Sequence, residues 1–291
     1  METFVALAFS AAAYAAVLAL ASLGFLVLYK ATGVVNFAHG DLITLGGYIA
    51  LWFMVDGGLG APVLAYVAAV VVMFLIGVVL ERVAYAPLRK RPHLTVLIAT
   101  LAAALVIRAA VSLWMGSTPR RLDSPADGWD VEILGATIAG QRILIICVGA
   151  VVVAAVMWLF GYTSFGRQLR AVASDRETAE LYGVRTGRIS VVAWGMSAAL
   201  AALAGILIAP LATLDLNFGF AIMLAAFAAA VLGGFGNLWG ALLGAVVVGV
   251  LQYLVGGYVF KDYAVILPYI AMLGVLAIRP MGILGRAEAR L

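Results

Sequence analysis

Five stretches of this chain run without a single Asp, Glu, Lys or Arg: Phe4 to Leu28, Gly57 to Leu80, Ile143 to Gly166, Ile189 to Leu214, and Leu216 to Phe260. A hydrocarbon core about 30 Å thick is crossed by roughly 20 helical residues at about 1.5 Å each, so each run holds one span and the last holds two. Lipid offers backbone N–H and C=O groups no partners, which leaves helical bundles and closed barrels as the structures that cross it. Runs this long and this uniformly apolar exclude barrel strands. Composition agrees, because only 11% of the 291 residues are charged and the mean hydropathy is +1.14, whereas a soluble domain carries roughly 25% charged residues. The expectation is an all-α, polytopic transmembrane bundle forming a single domain over residues 1–291.

Charge orients this bundle. Lys30, Arg82, Arg89, Lys90, Arg91, Arg167, Arg170, Arg176, Arg185, Arg188, Arg279, Arg286 and Arg290 fall on one face, against Arg120, Arg121, Arg142 and Lys261 on the other. The basic face is expected in the cytoplasm, and with it the C-terminus. The same bias accounts for the net charge of +4 and a pI near 9.3 without nucleic acid as a partner. The first run follows Glu2 instead of a basic segment and exceeds the apolar core of a signal peptide, so it reads as a retained span. Cys147 is the only cysteine, which precludes an intrachain disulfide.

Spans are expected near 5–29, 40–56, 62–84, 94–115, 141–161, 190–209, 218–235, 238–256 and 262–279. The second and eighth are the weakest, so the count is eight or nine. Asn36-Phe37 opens the second segment and Asn217-Phe218 opens the seventh, each before a helix rich in small residues. On this topology the two lie on opposite sides, the pattern of an inverted repeat with irregular backbone at helix starts. Chance is the competing explanation.

Three segments carry candidate chemistry. In the cytoplasmic loop at about 162–189, Ser174 and Glu177 have the spacing of a capping box, Asp175 and Glu177 suit a helix N-terminus, and Gly183 stands where a glycine ends a helix. A short helix near 175–182 is expected there, either docking a partner or simply solvated. In Asn36-Phe37-Ala38-His39-Gly40-Asp41, intramembrane polar groups are functional candidates, although Asn36 or Asp41 capping the next helix explains them as well. His39 suits a proton relay, but a single His without further ligands makes no metal site. The Gly-rich stretch Gly233-Gly234-Phe235-Gly236-Asn237 lacks the Gly-Lys of a nucleotide-binding loop, so no ATP site is expected in this chain. Arg108 sits within a span and is expected to snorkel outward.

These segments resemble the branched-chain amino acid ABC transporter permeases, specifically the shorter of the two paired permeases, over nearly the whole chain. Asn36-Phe37-Ala38-His39-Gly40-Asp41 is similar to that family's signature. Gly166 to Gly183 resembles its cytoplasmic loop motif, with Glu177, Ala179 and Gly183 kept and Thr178 in place of the central alanine. Gly233 to Asn237 followed by Gly240 resembles its late Gly-rich motif. The resemblance implies a permease of a bacterial inner-membrane importer that works with a second permease, two ABC ATPase subunits and an extracytoplasmic binding protein. It further implies an amino-acid substrate, alternating access, ATP bound only by partner subunits, and no cofactor. It assigns the coupling helix to the segment with Arg170, Ser174, Asp175, Glu177, Ala179 and Gly183. Path candidates are Asn36, Phe37, His39, Asp41, Asn217 and Asn237. Similar permeases are associated with urea and short amides, which is the alternative substrate class. An ion-driven carrier lacks a deep acidic residue other than Asp41, a half-helix channel would want Asn-Pro-Ala at both echoes, and a membrane enzyme lacks a catalytic constellation.

Overall fold

A computed structural model describes residues 1–59, 61–259 and 261–285. Arg286 and Arg290, counted above on the basic face, lie outside the described residues. The elements are α1 (Glu2–Thr32), α2 (His39–Val55), α3 (Pro62–Leu80), α4 (His93–Met115), β1 (Val131–Ile133), β2 (Ala136–Ile138), α5 (Gly140–Tyr162), α6 (Ser164–Ser174), α7 (Arg176–Leu181), α8 (Thr186–Ile208), α9 (Phe218–Gly233), α10 (Leu238–Gly249), α11 (Gly256–Tyr258) and α12 (Leu267–Ile278). Helix α3 runs on through a π-helical segment, Glu81–Tyr85, and α10 through another, Val250–Val255, into α11.

Among the described residues six helical stretches are long and apolar enough to cross a membrane: Glu2–Thr32, Pro62–Leu88, His93–Met115, Gly140–Tyr162, Thr186–Leu211 and Leu238–Tyr258. Helices α2, α9 and α12 have 17, 16 and 12 residues. Six of the nine expected segments thus fall on long helices, and the second, seventh and ninth fall on these shorter ones. The eighth segment is a continuous long helix, and the seventh is an apolar helix of 16 residues, about 24 Å long.

Helix α1 is the axis of the bundle, and its inner stretch Val17, Leu18, Leu20, Ala21, Leu23, Leu26 and Val27 is fully buried. It packs against α8, α10, α5 and α9, while α2 lies against α8, α9, α3 and α4. Helices α3, α4 and α5 bury much less of their surface and form the periphery. Local chemistry sets the breaks. Gly33 ends α1 in the left-handed region at φ 71°, Pro62 occupies the first turn of α3, and Pro92 precedes α4.

The loop between α4 and α5 is not irregular. An antiparallel hairpin, β1–β2, occupies it, an addition to the all-helical expectation that stays outside the bundle. Ser124 donates to Gln141 Oε1 at 2.7 Å, and Gln141 Nε2 donates to the Leu207 carbonyl at 2.5 Å, fastening this loop to the ends of α5 and α8. Arg120 and Leu214 bond each other's backbone at the same end. At the opposite end Arg176 meets Tyr85, and Arg89 lies by Gly187, so acidic and basic loops separate as the charge pattern requires.

Candidate functional site

Five of the six path candidates, Asn36, Phe37, His39, Asp41 and Asn217, lie where α2 and α9 begin. After Gly33 the chain turns back into the bundle, and Asn36, Ala38 and His39 are all buried. Asn36 Oδ1 accepts from the Ala38 N–H at 3.0 Å, so the side chain shapes the turn before the helix. The residue at the cap position is Ala38, which has no side chain to offer. Neither Asn36 nor Asp41 is therefore the helix cap.

His39 lies halfway along the neighbouring helices. Its Nε2 is 3.0 Å from the Ala21 carbonyl of α1, its Nδ1 is 3.5 Å from Ser197 Oγ of α8, and Phe25 meets the ring edge-on at 5.5 Å. A carbonyl can only accept, so Nε2 carries the proton and Nδ1 faces the hydroxyl. Both nitrogens are engaged, and the ring acts as a polar rivet between three helices.

Asp41 binds Arg108. The guanidinium Nε donates to Asp41 Oδ1 at 2.9 Å, with side-chain exposures of 34% and 6%. This corrects the expectation that Arg108 snorkels outward: on α4 the Cα–Cβ bond tilts toward the helix N-terminus, and the side chain reaches back to the first turn of α2. The Phe37 N–H donates to Thr100 Oγ1 at 3.3 Å, so a second bond joins the start of α2 to α4, while the Phe37 ring is 39% exposed.

The start of α9 meets the start of α2 directly. The Gly219 N–H donates to Thr44 Oγ1 at 2.9 Å. Asn217 is exposed beside this junction and makes no side-chain cap. Asn237 is not part of it, since its Oδ1 caps α10 through the Trp239 N–H at 3.1 Å and its Nδ2 binds the Leu284 carbonyl at 3.0 Å.

Beneath this junction lies a narrow pocket lined by Asn36, Tyr85, Thr100 and Trp194. Asn36 Nδ2, Glu81 Oε2, Ser190 Oγ and Trp194 Nε1 are buried without a hydrogen-bond partner among the described residues. Glu81 and Tyr85 belong to the π-helical segment after α3, and Tyr85 packs on Trp194 at 5.7 Å. Sequence reasoning missed Glu81, Tyr85 and Trp194, since nothing in an apolar run marks which turn will widen into a π-bulge.

At the basic end, the short helix falls where expected, with its cap moved by one residue. Asp175 caps α7, accepting from the Glu177 and Thr178 N–H groups at 2.9 and 3.2 Å and from the Thr178 hydroxyl at 2.5 Å. Ser174 ends α6 instead of capping α7, which corrects the capping-box reading. The threonine that departs from the family's central alanine thus serves the cap, and its hydroxyl chiefly holds the Asp175 carboxyl below the usual range. Gly183 adopts φ +81°, and its N–H donates to the Glu180 carbonyl at 3.0 Å. Ala179 is buried. Arg170 donates to the Phe160 carbonyl and braces the corner between α5 and α6.

Arg176 is the linking residue that the sequence left unmarked. It reaches Thr186 Oγ1 at 3.3 Å, Tyr85 Oη at 3.5 Å and Glu180 at 3.6 Å. The Thr186 hydroxyl, which donates to the Glu180 carboxylate, is the main cause of that carboxyl's lowered pKa, with Arg176 adding to it. At the end of α7, Leu181 and Tyr182 are 87% and 86% exposed.

Comparisons with known proteins identify the family. Residues 7–276 match the family described as branched-chain amino acid transport system, permease component. The high-affinity branched-chain amino acid transport system permease protein LivH of Escherichia coli is 33% identical over 282 residues, covering 93% of this chain and 92% of that one. The corresponding BraD protein of Pseudomonas aeruginosa is 32% identical, with coverage of 93% and 92%. A chain in the structure of PsaBC from Streptococcus pneumoniae in complex with Fab aligns over 92% of this chain with a TM-score of 0.49 at 14% identity. The multi-pass membrane chain described here belongs to the permease family of branched-chain amino acid ABC transport systems, a non-catalytic component of a machine that implies ATPase and binding-protein partners.

Proposed function

We propose that this chain is one of two permeases in a bacterial inner-membrane importer, carrying branched-chain amino acids by alternating access while two ATPase subunits hydrolyse ATP. The observation that carries the reading is α7. A capped helix at the basic end presents Leu181 and Tyr182 almost fully exposed, outside the helices long and apolar enough to span. Two large apolar side chains on a short, well-stopped helix suit a groove in a soluble partner. Arg176 connects that helix to Tyr85, and Tyr85 packs on Trp194 beside the pocket under Asn36. Movement of α7 thereby has a packed route toward the start of α2.

Substrate passage is assigned to the junction of α2 and α9, two short helices that begin inside the bundle. The repeat reading is supported by parallel order: α1, α2, α3 and α4 against α8, α9, α10 and α12, each set with a π-helical segment after its third helix. The cytoplasmic C-terminus rests on the positive-inside bias. The test is a purified complex carrying Leu181→Asp and Tyr182→Ser. Loss of the ATPase subunits with the second permease retained supports the assignment, and full retention of the ATPases overturns it.

A further inference from the structure

We propose that the Asp41–Arg108 pair is a substrate-binding pair for a zwitterion, with Arg108 taking the carboxylate and Asp41 the ammonium group of the travelling amino acid. The inference rests on the amino-acid reading above and adds the recognition chemistry.

Depth is the first argument. Asp41 lies two residues after His39, which is bonded to the middle of α1 and faces the middle of α8. Arg108 turns back along α4 to meet Asp41 at 2.9 Å, so its charge sits inside the membrane. A guanidinium at that depth is expensive to expose to hydrocarbon and is expected to face a partner charge or a watered cavity. Its side chain is nevertheless 34% exposed. The bond is end-on through Nε, and no acceptor among the described residues engages the two terminal nitrogens. The unspent edge of the guanidinium is the one that grips a carboxylate with two parallel hydrogen bonds.

Charge balance is the second argument. In a low-dielectric setting a lone anion drawn to Arg108 would strip Asp41 of its partner and leave a buried carboxylate uncompensated, which costs more than the new contact returns. A neutral amide supplies neither charge. A zwitterion replaces both partners at once, so the pair opens without leaving either charge alone. The seam also suits an aliphatic side chain: Phe37, one turn before Asp41, is held to α4 through Thr100 and exposes its ring.

The test uses the complete complex with its binding protein in proteoliposomes, with radiolabelled leucine as the probe. Three quantities are measured: leucine uptake, ATP hydrolysis stimulated by leucine-loaded binding protein, and subunit composition. The decisive variant is the double Asp41→Asn, Arg108→Gln, which is close in shape, neutral and able to keep a hydrogen bond across the seam. The expected result is an intact complex with stimulation within twofold of wild type and uptake reduced at least tenfold. Unchanged uptake in the double variant would make the pair structural glue and overturn the proposal. Loss of the second permease in Arg108→Gln alone would also overturn it, by showing that the guanidinium meets a protein carboxylate. A double variant that does not assemble passes the decision to Arg108→Lys, which keeps the charge and loses the fork. There a KM for leucine raised at least threefold supports the pair, and an unchanged KM sinks it. A wild-type complex that imports urea or a short amide and no leucine would instead refute the amino-acid reading itself.

Discussion

Gly219 and Thr44 join the two short helices at their starts: the glycine N–H donates to the threonine hydroxyl at 2.9 Å, inside the bundle. A first-turn N–H of α9 is thus satisfied by a second-turn side chain of α2, where water would otherwise be needed.

The first prediction follows from that contact. A Cβ on Gly219 would stand 2.7 Å from Thr44 Oγ1 and 2.9 Å from Ile43 Cβ, so Gly219→Val should abolish the monodisperse species in size-exclusion chromatography. Thr44→Val keeps the shape and removes the bond. It should cost about 1 kcal/mol, read as a fall of about 2–4 °C in thermal stability.

The second concerns the α7 cap. Asn offers the same acceptor geometry as Asp, and Ala offers none. Asp175→Asn should therefore couple ATP hydrolysis to transport within twofold of wild type, whereas Asp175→Ala should lose most of the stimulation by loaded binding protein. The carboxyl is held below its usual range chiefly by the Thr178 hydroxyl. A depressed pKa contributes stability that is complete above the ordinary carboxylate range and fades as pH falls through the lowered value. Wild type and Asp175→Asn should therefore stay matched across neutral pH and part only in acid, as measured by stimulated ATPase activity.

The third concerns Gly183. Its φ of +81° disfavours any residue with a Cβ, by about 1–2 kcal/mol. Gly183→Pro additionally deletes the N–H that bonds the Glu180 carbonyl and cannot reach that φ at all. Gly183→Ala should weaken transport and Gly183→Pro abolish it, with substrate binding to the soluble partner unchanged by calorimetry. Glu177→Lys places a cation at the positive end of the helix and should also lose transport. Normal uptake in both Gly183→Pro and Glu177→Lys would remove α7 from the coupling role.

The fourth separates path from packing by thiol labelling. In a Cys147→Ala background, Phe37→Cys should react with a small reagent, because the ring is 39% exposed. His39→Cys should be protected, because that side chain is fully buried. Equal reactivity at both positions would show that the junction opens much further than the structure has it.

The fifth follows the link from α7 into the bundle. Tyr85→Phe removes the hydroxyl near Arg176 while keeping the ring against Trp194. Basal ATP hydrolysis should be unchanged and stimulated hydrolysis lower by about threefold, the effect of losing roughly 0.6 kcal/mol of coupling.

What the sequence determined by itself is what depends on composition and short spacing. Charge-free runs dictate helices in lipid because no other element pairs its own backbone there. The basic residues sort by side, and the family motifs identify the permease class. The helix over Arg176–Leu181 was legible because caps and stop glycines act within one turn. Even there Asp175 displaced Ser174 as the cap, since the sequence could not say where α6 would end. Tertiary structure alone decided the rest. Arg108 and Asp41 stand 67 residues apart, and only the packing of α2 against α4 turns an apparent snorkelling arginine into half of an ion pair. The burial of His39, the contact between Gly219 and Thr44, and the π-bulge that aims Tyr85 at Trp194 are likewise set by which helices meet at what depth. Apolar periodicity carries no information on that, because in lipid every face of a helix is apolar whether it meets acyl chains or another helix.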